Sequence, residues 1–132
     1  MRNCGKFEIE NIMSNNVAKD KSIIFAIRIV KLYKYLTETK NEIILSKQIL
    51  RSGTSIGANI AESEYAISGD DFTSKVYISL KECSETEYWL KLLYSTDYIT
   101  KEQFDSIYAD CEELRKILSS ITKTMKDKKG IC

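Results

Sequence analysis

The chain has 132 residues, 20 basic and 19 acidic side chains, a formal net charge of +1, four cysteines, and neither histidine nor proline. The length suits one domain with a modest core, and near-neutrality excludes the strongly basic global field that commonly accompanies nucleic-acid binding. Without histidine there are no His-based triads, His metal sites or imidazole proton shuttles, and without proline nothing interrupts long helices.

Residues 1–17 read as a polar, flexible N-terminal segment, with Asn3, Asn11, Asn15 and Asn16 and no signal-peptide core. No apolar run reaches the roughly 18–20 residues of a membrane span. Cys4, Cys83, Cys111 and Cys132 show no CxxC spacing. The expectation is therefore a cytoplasmic protein with reduced thiols and no membrane partner. The folded domain is expected over 18–126, followed by a basic tail over 127–132.

The first helix is expected from about Lys19 to Thr37. Its apolar residues, among them Ile23, Phe25, Ala26, Ile29, Val30 and Leu36, cover well over half the circumference. A helix burying one face needs a stripe of only about 100–140°. The surplus width suggests a second contact, within the bundle or with another subunit.

The second helix is expected from about Ile43 to Ala66, with Gly53, Gly57 and Ala61 four residues apart. Such positions drift only about 40° per step and leave a groove into which another helix packs closely. Each interior glycine costs roughly 1 kcal/mol against alanine, so a packing reason is expected. A phosphate-cradling loop needs free N–H groups at a helix start, and these glycines lie mid-helix. Ser68-Gly69 should end the helix, Gly69 in a left-handed cap, with Ser68 and Asp71 capping the next.

The third helix is expected from about Asp70 to Tyr94, on a seam of Phe72, Val76, Ser79, Cys83, Glu87, Leu90 and Tyr94. Thr100 and Gln103 fit a capping box for the fourth, whose seam runs from Phe104 through Cys111, Leu114 and Leu118 to Met125. Joints this short turn consecutive helices antiparallel. The fold class is thus all-α: one antiparallel, up-down-up-down four-helix bundle.

The segment from Gln48 to Glu62, with Phe72, Lys75, Leu80-Lys81-Glu82, Glu85-Thr86-Glu87 and Trp89-Leu90, resembles the four-helix bundle proteins encoded in bacterial 23S ribosomal RNA intervening sequences. The likeness runs from about residue 18 to 126, departing at Ser63-Glu64, where the family favours alanine after the glutamate. It implies a bundle assembling as a ring-shaped homopentamer, with no established catalytic activity. A related bundle, the accessory variability determinant of diversity-generating retroelements, binds nucleic acid and partners a reverse transcriptase. By that analogy the function expected is non-enzymatic binding of RNA or DNA, beside a nucleic-acid-processing protein.

Several charged residues lie on or beside the seams, where charge persists only when paired. Glu64 is expected near Lys75, Glu87 near Tyr108, and Glu82 near Arg115, as structural locks. Cys83 and Cys111 should be small core residues. Ferritin-like di-metal bundles use Glu-x-x-His pairs, which this chain lacks, and no catalytic, cofactor or metal residue is assigned. Ile78, Trp89 and Leu93 share a second face of the third helix and are read, with the wide apolar face of the first, as a subunit contact.

Phosphate contacts are assigned to Arg28 and Lys31, to Lys47 and Arg51, and to Lys123, Lys126, Lys128 and Lys129. Tyr77, Lys81 and Tyr88 share another face of the third helix. Five copies of a weak basic patch around one axis would make a strong local field from nearly neutral chains. The alternative is a protein-interaction scaffold that binds no nucleic acid, using the Ile78-Trp89-Leu93 surface.

Overall fold

The computed structural model describes residues 17–131, with side chains over 17–128. It consists of four helices, α1 Val17–Glu38, α2 Leu45–Ser63, α3 Gly69–Ser95 and α4 Lys101–Ile131. The polar segment 1–16 lies outside the described residues. Helix α1 packs on α2 and α4, α2 on α3, and α3 on α4, which closes the bundle around one core.

Paired residues ascend one helix as they descend its neighbour. Lys19 meets Glu64 while Ile29 faces Gly53. Arg51 meets Glu82 and Glu85 while Glu62 meets Lys75. Tyr94 stacks on Phe104 while Tyr77 lies near Lys126. Each sequential pair is therefore antiparallel, as the short joints require. Asn41 and Asp97 turn two of the joints with positive φ (56° and 67°), a region that Asn and Asp enter more readily than most residues.

Both expected caps of α3 and α4 form. Ser68 Oγ accepts from Asp71 N–H at 3.0 Å, and Asp71 Oδ2 accepts from Ile67 N–H at 3.1 Å. Thr100 and Gln103 exchange side-chain and backbone bonds of 3.1 and 2.8 Å. Helix α2 departs from expectation at both ends. It starts at Leu45, where the Glu42 carboxylate accepts from the N–H groups of Ser46 (2.7 Å), Leu45 (3.0 Å) and Ile44 (3.2 Å). It stops at Ser63, followed by tight bonds from Tyr65 N–H to Glu62 O and from Ala66 N–H to Ser63 O. Gly69 is not a left-handed cap, since no described glycine has positive φ; it opens α3.

The core holds Phe25, Ile29, Ile49, Ile56, Phe72 and Leu90, all at most 1% exposed. On α3, Thr86 and Leu93 are buried where Glu87 and Tyr94 were expected on the seam. A buried glutamate needs desolvation offset, and here Glu87 turns to the α4 flank while Thr86 faces Ser52. Cys83 and Cys111 are free, buried core thiols, as expected.

Candidate nucleic-acid interface

The two arginines assigned to phosphate are occupied within the bundle. Arg28 Nη1 lies 2.6 Å from Asp110 Oδ2, and its Nη2 donates to Ser106 Oγ at 2.9 Å, tying α1 to α4. Arg51 pairs with Glu85 and stands 3.5 Å from Glu82, tying α2 to α3. The hydrogen bond from Trp89 Nε1–H, with Arg51 alongside, holds the Glu85 carboxyl below its ordinary range despite partial burial. An arginine already bonded to a carboxylate must lose or share that bond to take a phosphate, so these two are less available for such contacts than free cations would be.

The lysines fare differently. Lys31 and Lys47 are exposed and form no ion pair among the described residues. Lys31 borders an open apolar hollow of about 500 Å³ between α1 and α2, which Lys34 flanks as well. Lys123 and Lys126 border a second hollow of about 520 Å³ between the start of α3 and the end of α4, with Tyr77, Leu80 and Ser119. The backbone of 127–131 continues α4, so the basic tail is helical. The side chain of Lys129 lies outside the described residues; Lys128 is half-buried.

The expected locks form with other partners. Glu64 pairs with Lys19 at 3.0 Å rather than Lys75, which reaches Glu62 at 3.3 Å. Glu87 takes Arg115 at 3.0 Å, and Glu82 faces Arg51 instead. Glu64 and Glu82 thus pair with a different helix from the one expected, and Glu87 takes a partner about two turns farther along α4 than Tyr108. Of the glycine groove, Gly53 and Gly57 face α1, while Ala61 is exposed among the described residues.

The expected surface of Ile78, Trp89 and Leu93 does not exist as one patch. Leu93 is fully buried, Trp89 packs partly against the core with its indole N–H on Glu85 at 3.1 Å, and Ile78 alone is exposed. The exposed apolar face belongs to α1: Ile23, Ile24 and Ile27 are 50%, 60% and 50% accessible, with Val30 beside them. The wide apolar circumference of α1 was the signal for it.

Among the described residues no cluster of Cys, Asp and Glu is arranged to hold a metal ion. A hydrogen bond with Cys83 and burial push the Cys111 thiol far up, toward the inert neutral form. No helix of the described residues is long and apolar enough to cross a membrane.

No match is found among curated proteins. A solved structure from Bacteroides thetaiotaomicron, described as a protein of unknown function from the S23 ribosomal protein family, is 60% identical. The match covers 81% of this chain and 99% of that one, with a TM-score of 0.81. Residues 14–120 match the family described as 23S rRNA-intervening sequence protein. With most of its length matched, the chain belongs to the 23S rRNA-intervening sequence protein family.

Proposed function

We propose that the protein is a non-enzymatic helical bundle that self-associates in the cytoplasm and binds RNA or DNA through lysines that its own carboxylates leave unpaired. The outer face of α1 carries this reading. It exposes Ile23, Ile24, Ile27 and Val30 beside Lys31 and Lys34. Contiguous exposed isoleucines mark an association surface, and every copy that joins through them brings two further lysines to the assembly. A ring of five, as the family resemblance implies, multiplies a field that one nearly neutral chain lacks. Such an assembly suits an accessory role beside a nucleic-acid-processing protein. A catalytic group is commonly shifted toward the working pH within a cleft, whereas the thiol of Cys111 is shifted away from it.

The test is mass in solution together with affinity for ribosomal RNA fragments and duplex DNA across a salt series. An oligomer whose binding weakens steeply with salt supports the proposal. Ile27→Glu should dissociate it without loss of helix content and weaken nucleic-acid binding in parallel. Lys31→Glu and Lys47→Glu are cleaner probes of phosphate contact than Arg51→Glu, which also breaks the α2–α3 ion pairs. No binding at low salt would overturn the proposal. It would leave the scaffold reading, its surface moved from Ile78-Trp89-Leu93 to the apolar hollow of α1 and α2, with a protein partner bound with little salt dependence.

A further inference from the structure

Helix α3 presents to solvent a line of residues that no other element among the described residues covers: Tyr77, Lys81, Ser84, Tyr88 and Lys91, all exposed. Their spacing of four, three, four and three keeps them on one face, and the line runs about 21 Å at 1.5 Å per residue. Tyr77 and Tyr88 are 54% and 58% accessible, high for aromatic side chains in mid-helix. Beyond its first turn, α3 has three carboxylates, and each is turned to a flank. Glu82 and Glu85 face Arg51 on α2, and Glu87 binds Arg115 on α4. The line is left with aromatic rings, ammonium groups and a hydroxyl.

Its surroundings extend the same chemistry. Lys123 and Lys126 of α4 line the hollow that Tyr77 borders, where their two charges outnumber the one carboxylate in its lining, Asp70. At the other end, Lys91 Nζ lies 5.6 Å from the centroid of the Tyr108 ring. The Tyr88 ring meets Trp89 edge-on, with centroids 5.0 Å apart, and Trp89 is in turn held by Glu85. Tyr88 is thereby braced, which lowers the cost of ordering it against a ligand.

Building on the nucleic-acid reading above, we infer that this face of α3 is a track for single-stranded nucleic acid. Unpaired bases stack on Tyr77 and Tyr88, and phosphates lie against Lys81, Lys91, Lys123 and Lys126. Aromatic rings interleaved with cations fit a flexible strand, whose bases are free to stack. A duplex keeps its bases inside and would use only the lysines. An acidic protein would use the charges and have no need of two ring faces.

The test is fluorescence anisotropy with labelled oligo(dT) and oligo(U) of one length, a duplex of equal length, and poly-glutamate as the protein-like anion. Emission of Trp89, the one tryptophan in the chain, reports occupancy beside Tyr88. The expected result is single-strand affinity at least about tenfold above duplex, with a change in Trp89 emission. Tyr77→Ala/Tyr88→Ala should lose about tenfold or more on single strands and leave duplex binding within about twofold. Tyr77→Phe/Tyr88→Phe should keep the wild-type preference, since the ring faces remain. Comparing oligo(dT) with oligo(U) assigns the sugar. Equal affinity for duplex and single strand, or binding indifferent to the alanine pair, overturns this track and leaves the general reading standing. Poly-glutamate binding as tight as the oligonucleotides also overturns it. Absence of binding to every nucleic acid removes both.

Discussion

The two faces of α2 are built from small residues to opposite ends. Toward α1 it offers Gly53 and Gly57, and smallness serves closeness: a Cβ on Gly53 would fall 2.7 Å from Ile29 Cγ1. Toward α3 it offers Ser52 and the backbone of Ile56, and smallness serves hydrogen bonding. The Ser52 and Thr86 hydroxyls are 2.9 Å apart, and Ser79 Oγ donates to Ile56 O at 2.7 Å, all of it buried. The first seam is stabilised by dispersion between backbone and a branched side chain. The second depends on each buried polar group finding its counterpart. Gly53 tolerates no added atom, and Ser52 no missing partner.

The largest effect should come from filling the glycine face. Gly53→Ala pushes a methyl to within 3.0 Å of three atoms of fully buried Ile29, which puts the overpacking at or above the upper end of the usual range of about 1–3 kcal/mol, well beyond the roughly 1 kcal/mol gained in helix propensity. Denaturant unfolding should show a net loss. The Ile29→Ala/Gly53→Ala double variant should cost less than the sum of the two single changes, by about 0.5–3 kcal/mol. Strict additivity would mean that Gly53 is not there for close approach.

The opposite seam should break by subtraction. Thr86→Val should destabilise by about 1–3 kcal/mol because Ser52 loses its buried partner, and adding Ser52→Ala should restore most of that. Failure of the second change to help would assign the cost to packing alone.

Both faces depend on α2 starting where it does. The Glu42 carboxyl, 8% exposed, is pushed up by burial, but bonds from the N–H groups of Leu45, Ser46 and Ile44 outweigh this and hold it below its ordinary range. A lowered carboxyl stabilises the fold above its unfolded pKa, and that stabilisation disappears as pH falls through the folded pKa. Glu42→Gln should cost about 0.5–2 kcal/mol near neutrality and flatten this part of the acid-side decline. An unchanged pH profile of thermal stability would remove Glu42 from that role.

The smallest effect is expected at Gly57. A Cβ there would come within 3.1 Å of Ser22 Oγ, a short side-chain end that needs to yield only a few tenths of an ångström while keeping its hydrogen bond to Lys19 O. Gly57→Ala should therefore change stability by less than about 1 kcal/mol, helix propensity offsetting the contact. A loss as large as that of Gly53→Ala would show that α1 and α2 are equally tight along their whole seam.

Much of the architecture was legible because it rests on local chemistry. The caps at Ser68 and Thr100, the core thiols and the close approach at Gly53 follow from spacing within a few residues. Leu93 and the charged pairs were misread because they depend on where a helix rotates and ends. The early stop of α2 and the turn of Glu87 toward Arg115 cannot be seen within one helix. Among the candidate contacts, Lys31 and Lys47 stay exposed, whereas Arg28 and Arg51 are taken by Asp110 and by Glu85 and Glu82. Lys91 was missed, although its position fourteen residues after Tyr77 continues the same face.

The sequence by itself determined four helices, their antiparallel order and a glycine-lined contact, since helical periodicity, capping and short joints act over a few residues. The tertiary structure alone decided which cations stay free. A salt bridge requires charges within a few ångströms, and that distance is set by the rotation and register of helices far apart in the chain.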